Sequence, residues 1–199
     1  NIVFTRKKGT FVFQHDGQPF TKIAIASLII QTSSKTNNEP EKVGKYGTGF
    51  LTTHKFGRVF NLSGALRLKR GLDYFYNFDN FEINRSSEDK VVLGKAIKSL
   101  IDKTKTWNQC TDKITKDASP LTTFTYTHRD EQERKNAKDA LDEAPDMVPY
   151  VIALNRGVGS IELIDEVDGN TKKFVRNGDY EEVETADDYC LKTCVVDKY

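Results

Sequence analysis

His15-Asp16-Gly17-Gln18-Pro19-Phe20 opens the stretch whose reading decides the fold, and Val43-Gly44-Lys45-Tyr46-Gly47-Thr48-Gly49-Phe50 closes it. Just upstream, Thr10 to Phe13 is β-branched and aromatic and reads as a strand. Just downstream, Thr21 to Ile30 carries Ile23, Ala24, Ala26, Ser27, Leu28 and Ile30, an apolar density that predicts a buried helix. The Asp16-Gly17 pair therefore falls between a strand and a helix. Alone it is a common turn dipeptide. In a binding site, Asp16 would be a buried carboxylate accepting a hydrogen bond from an adenine amino group, and Gly17 would let the base approach the backbone.

Gly44, Gly47 and Gly49 are spaced so that successive backbone amides can turn toward one point, and Phe50 begins an apolar run suited to a helix. Such a loop can cradle phosphates, with the hydroxyl of Thr48 at its centre. It is not a Walker loop, because the lysine followed by serine or threonine after the last glycine is missing. A glycine triplet is also the composition of a flexible linker. Between the two motifs, Ser33-Ser34-Lys35-Thr36 opens a polar loop from Gln31 to Val43 with little apolar anchoring. Lys35 could reach a phosphate, although loop lysines are commonly solvated.

In this order, Asp-Gly, apolar helix, polar loop and Val-Gly-x-Tyr-Gly-x-Gly-Phe, the sequence resembles the Hsp90-like GHKL ATPases of the Bergerat fold. The likeness is to the heat-shock chaperone and sacsin-type members more than to histidine kinases. It spans roughly Thr10 to Leu154 and is strongest from Asp16 to Gly64. The resemblance implies that Asp16 and Gly17 contact adenine, that Gln31 to Val43 is a mobile lid, and that Gly44, Gly47, Thr48, Gly49 and Phe50 hold the phosphates. It also implies that a threonine of a later strand joins the aspartate's network. Thr122 takes that role, with Thr123 and Thr125 as competing registers.

The same resemblance sets the wider expectations. The fold is a two-layer α+β sandwich, a mixed, largely antiparallel sheet covered on one face by helices. Residues 1 to 178 form the ATP-binding domain, and 179 to 199 form a linker or the start of a following domain. ATP is the cofactor, and Mg2+ accompanies it in a full-length protein. Partners are further domains of the same polypeptide and a second copy in a homodimer. Family members carry a helix before the aspartate turn, bearing a glutamate that activates water and an asparagine that binds Mg2+, and no such helix precedes Asp16 here. The stretch is therefore expected to bind ATP better than it hydrolyses it. Its catalytic residues stay unassigned, and a chaperone-like hydrolase stands beside a non-hydrolysing interaction module with the same fold. Opening inside a strand pattern reads as a fragment of a longer polypeptide.

Composition is compatible with this reading without adding to it. The 199 residues suit one domain, and a formal net charge of +1, with both signs mixed along the chain, indicates neither nucleic acid nor an anionic membrane as partner. No apolar run approaches the roughly 20 residues of a membrane-spanning helix. Cys110, Cys190 and Cys194 are an odd number, which fits reduced thiols in the cytoplasm. Cys190 and Cys194 could share a helix face, but the histidines show no ligand spacing around them, so no metal site is expected.

The remaining elements follow from periodicity. Asn1 to Phe4 pairs with the Thr10 strand through a Lys7-Lys8-Gly9 turn. Gly49 to Leu62 predicts a helix leading into a strand that ends near Ser63-Gly64, then strands over Ala65 to Arg70 and Phe78 to Arg85 with a turn at Gly71. Lys90 to Lys105 is a surface helix or long loop, and Leu121 to Thr127 a strand. Arg129 to Asp142 is an exposed helix stopped near Pro145, followed by strands at Tyr150 to Leu154, Ser160 to Glu166 and Lys172 to Arg176. His54 is read as a packing residue.

Overall fold

The computed structural model describes residues 1–30, 48–68, 74–109, 114–117, 120–184 and 190–199; side chains of 48–51, 108, 182–184 and 190–192 are excluded. Lys35, Gly44, Gly47, the loop 31–43 and the turn at Gly71 lie outside the described residues.

Among the described residues the chain forms one nine-stranded mixed sheet and three α-helices, an α+β architecture. Its strands are β1 (Ile2–Lys7), β2 (Thr10–His15), β3 (Val59–Arg67), β4 (Phe75–Asn84), β5 (Ile114–Thr115), β6 (Thr122–Thr127), β7 (Ser160–Asp165), β8 (Asn170–Glu184) and β9 (Cys190–Lys198). They lie in the order β5-β4-β3-β6-β2-β1-β7-β8-β9. Strand β1 runs parallel to β7, and every other pairing between these strands is antiparallel. The helices are α1 (Lys22–Ile30), α2 (Lys90–Thr106) and α3 (Glu131–Leu154).

The registers show why one face is apolar. Phe4 lies beside Phe13 and Leu163, Phe13 beside Phe124, Phe124 beside Leu62, and Leu62 beside Phe81. Paired residues point to the same side of a sheet, so these rings and aliphatics form a continuous stripe across it. The opposite face includes polar pairs, with Gln14 beside Thr123 and Thr125 beside Asn61. The apolar stripe belongs to a single core that includes Ile25 and Ile29 of α1, Leu100 of α2, and Ala137, Leu141, Val148 and Ile152 of α3.

Several expectations are corrected. The helix predicted to stop near Pro145 continues through Pro145 and Pro149 to Leu154, so Tyr150 to Leu154 is helical. Ala137, Leu141, Val148 and Ile152 are buried at helical spacing. Burial at about 1.5–3 kcal/mol for each large aliphatic offsets the roughly 3 kcal/mol cost of an interior proline. The N-terminus of α3 is set by Asp130, whose carboxylate accepts from the Glu133 amide at 2.8 Å, while Glu133 accepts from the Arg129 amide at 2.7 Å. Lys90 onward is a helix, capped by Asp89.

Ser63-Gly64 does not end a strand; β3 continues to Arg67, with its register shifted between Leu62 and Gly64. After Thr48 the chain forms a 3-10 helix (Thr48–Lys55) in place of an α-helix, and Gly57, at φ +149°, turns it into β3. A Cβ at Gly57 would sit 3.5 Å from the carbonyl oxygens of Thr127 and Val59, and its backbone angle strains any other residue. Residue 178 falls inside β8, and β9 returns antiparallel along that strand, with Cys194 and Val196 packed against the core. Cys190 and Cys194 therefore share a strand and not a helix.

Candidate functional site

Strand β2 delivers the Asp16-Gly17 turn to one end of the sheet. Its last residue, His15, pairs with Thr122, the first residue of β6. Thr122 is 3% exposed, and a Cβ on Gly64 would lie 3.4 Å from its hydroxyl oxygen and 3.7 Å from the Phe20 ring. A methyl group at Gly64 would therefore sit in ordinary contact with this buried hydroxyl. Phe20 is tied to β3 by its amide, which donates to Ala65 at 2.8 Å, and by its carbonyl, which accepts from Arg67 at 2.8 Å. Immediately afterwards Thr21 caps α1, its hydroxyl accepting from the Ala24 amide at 3.1 Å. Strand end, turn, buried threonine and helix start are in this way fixed as one unit.

Asp16 itself departs from expectation. Its carboxylate is at the surface, with a side-chain exposure of 43%, and not buried. The amino group of Asn1 donates to one oxygen at 2.6 Å and the Asn1 side-chain amide donates to the other. Pairing of β1 with β2 brings residue 1 there, with Ile2 opposite His15. The turn is braced from within, because the Gly17 amide donates to His15 Nδ1 at 3.1 Å.

The structure brings Asp16, Gly17 and Thr122 to the same sheet end and places Thr48, Gly49 and Phe50 in the first turn of the 3-10 helix. Three consecutive residues of that helix are fastened to different elements. Thr53 hydrogen-bonds the phenol of Tyr126 on β6, which burial pushes up to about 12. His54 Nε2 lies 3.2 Å from Arg85 Nη1, and the Lys55 carbonyl accepts from Asn136 of α3 at 2.7 Å. Arg85 is the residue that reading the sequence missed. An arginine following an alternating strand gives no signal that it will be 5% exposed.

A recess of about 300 Å3 lies between the β1–β2 turn and α3, and among its lining residues are Arg6, Lys7, Arg134 and Lys138. These cations are already held: Arg6 by Asp165 and Asp168, Lys7 by Glu166, Arg134 by Glu131, and Lys138 by Asp142 and Asp168. Lys8 and Lys135 also line the recess and form no ion pair among the described residues; it lies at the end of β2 opposite Asp16. Among the described residues no helix is long and apolar enough to cross a membrane. In comparisons with known proteins, the chain matches no family model and no curated protein.

His15, His54 and His128 all have pKa values below the ordinary histidine range, in each case chiefly because burial penalises the charged ring. The unfolded chain, with histidines near 6.5, therefore binds more protons than the folded one at mildly acidic pH. Their stabilising contribution is complete above about pH 6.5 and is lost as pH falls through the lowered folded values. The urea midpoint is expected to drop between about pH 7.5 and pH 5.5. A midpoint that stays level or rises over that interval would contradict this.

Proposed function

We propose that the chain is an ATP-binding domain of the Hsp90-like GHKL type with a Bergerat fold, in which bound nucleotide governs rearrangement of further domains or of a second copy. One observation carries the reading: the β2–β6 register sets the buried Thr122 directly beside the strand end that bears Asp16 and Gly17, on the helix-covered side.

In this reading Asp16 accepts from the exocyclic amine of adenine, Gly17 admits the ring, and Thr122 completes the hydrogen bonding. Gly44, Gly47 and Gly49 turn backbone amides toward the phosphates, Thr48 and Lys35 add contacts, and Phe50 anchors the loop below them. Among the described residues no group of three or more His, Cys, Asp or Glu could hold a metal ion.

Titration calorimetry tests the assignment. ATP and ADP should bind while GTP binds poorly, because guanine presents an oxygen where adenine presents the amine that Asp16 needs. Gly49→Ala should weaken ATP binding about three- to tenfold without unfolding, since a Cβ there either meets phosphate oxygens or strains the loop. Equal affinity for ATP and GTP would remove the adenine assignment. Unchanged ATP affinity in both Gly47→Ala and Gly49→Ala would make the glycine loop a linker.

A further inference from the structure

Helix α1 reads Lys-Ile-Ala-Ile-Ala-Ser-Leu-Ile-Ile, with no basic residue in its last turn. The last four carbonyls of a helix have no partner within it and form the negative end of its dipole. Arg85, just beyond the end of β4, supplies what α1 lacks: its Nη2 donates to the carbonyl of Leu28. The Arg85 backbone amide is tied to the Arg58 carbonyl at 2.9 Å, and its guanidinium lies 5.6 Å from the centre of the Phe60 ring. The second arm, Nη1, reaches His54 Nε2 at 3.2 Å. A guanidinium has only donors, so His54 must present a lone pair at Nε2 and carry its proton on Nδ1.

We propose that Arg85 is a positioning residue of the nucleotide site and that His54 makes its grip sensitive to pH. This rests on the ATP-binding reading above. Helix α1 leaves the adenine-side turn at Asp16-Gly17, and the 3-10 helix carries Thr48, Gly49 and Phe50 of the phosphate motif. One buried cation holds both and so sets the spacing between the base and phosphate halves of the site. Protonating His54 removes the acceptor and places two cations side by side.

The surroundings of His54 favour its neutral form. Burial, then Arg85, then Arg58 lower its pKa. Arg58 faces Glu88, itself 89% exposed, across 3.7 Å. Tyr126 of β6 stays a neutral phenol at physiological pH. From α3, Glu133 lies beside Gly57 and is engaged by Arg129, and Asn136, which donates to the Lys55 carbonyl, is uncharged. Helix α1 contributes no charge nearer than Lys22 at its opposite end.

Calorimetric ATP titrations of wild type, Arg85→Met, Arg85→Lys and His54→Gln at a series of pH values between about 8 and 5, with imidazole NMR of the ligand-free proteins, test this. Gln keeps an acceptor near the Nε2 position but does not titrate, so the difference between wild type and His54→Gln cancels the nucleotide's own protonation. Arg85→Met should bind ATP about tenfold more weakly at neutral pH, with Arg85→Lys in between. Wild-type affinity should fall on acidification beyond that of His54→Gln, and the His54 resonance should titrate higher in Arg85→Met. If Arg85→Met does not fold, the wild-type and His54→Gln profiles decide: coincident profiles overturn the proposal. Unchanged affinity in a folded Arg85→Met overturns it as well. Failure of wild type to bind ATP at any pH defeats the ATP-binding reading instead, while the NMR shift still reports on the Arg85–His54 contact.

Discussion

Asp16→Asn should lower the affinity for ATP and ADP by about 1–3 kcal/mol, roughly 5- to 150-fold, while leaving the folded domain intact. An ionised carboxylate offers acceptors only; the amide would turn a donor toward the adenine amine or leave that amine unsatisfied once the base covers the site. Stability should change little, because Asp16 is largely solvated and its partner is a surface residue. Calorimetry alongside a thermal melt checks both parts. ATP affinity equal to wild type, in a variant that melts normally, would take Asp16 out of the site.

Phe124→Ala should cost about 3–5 kcal/mol of folding stability, a large fraction of the 5–15 kcal/mol typical of a domain. Phe124 sits in the middle of β6 at 5% exposure. Its ring centre lies 5.5 Å from Phe13, 6.4 Å from Phe20 and 6.1 Å from Phe60. Phe13 precedes the Asp16 turn by three positions and Phe20 leads into α1, so the cavity would also loosen the candidate site. Urea unfolding should show a lower midpoint with a similar slope. A loss below about 1 kcal/mol would mean that this cluster can collapse around the gap and is not the keystone of the sheet.

What was legible in the sequence depended on how local its cause was. The Thr10 to His15 strand, the Asp16-Gly17 turn and the Lys22 to Ile30 helix are each decided by neighbours a few positions away, and each was readable. The second half of α3 was not, because Pro145 and Pro149 are local stop signals while Val148 and Ile152 are held by distant strands. Tyr180 adds a clasp there, its hydroxyl donating to the Ile152 carbonyl at 2.6 Å across 28 positions. The same holds for β9: Cys194 and Val196 look unpatterned until β8 places them beside α3. Thr122 could be named from the resemblance, but its burial follows from the β2–β6 register. Arg85 illustrates the limit, since its partners Leu28 and His54 lie 57 and 31 positions away.

The parallel junction between β1 and β7 has a kinetic meaning. It joins two antiparallel sections, β5-β4-β3-β6-β2-β1 and β7-β8-β9, through contacts such as Arg6 with Asp165, which are separated by 159 positions. Hairpins such as β1–β2 and β7–β8 close short loops and form early, whereas this seam must await the ordering of nearly everything between its strands. During synthesis β1 emerges long before β7 exists, and until then the β1 edge stands open to any other strand. Folding of the whole sheet is therefore gated by its highest-contact-order step, and a nascent chain is most exposed to mispairing along Ile2–Lys7.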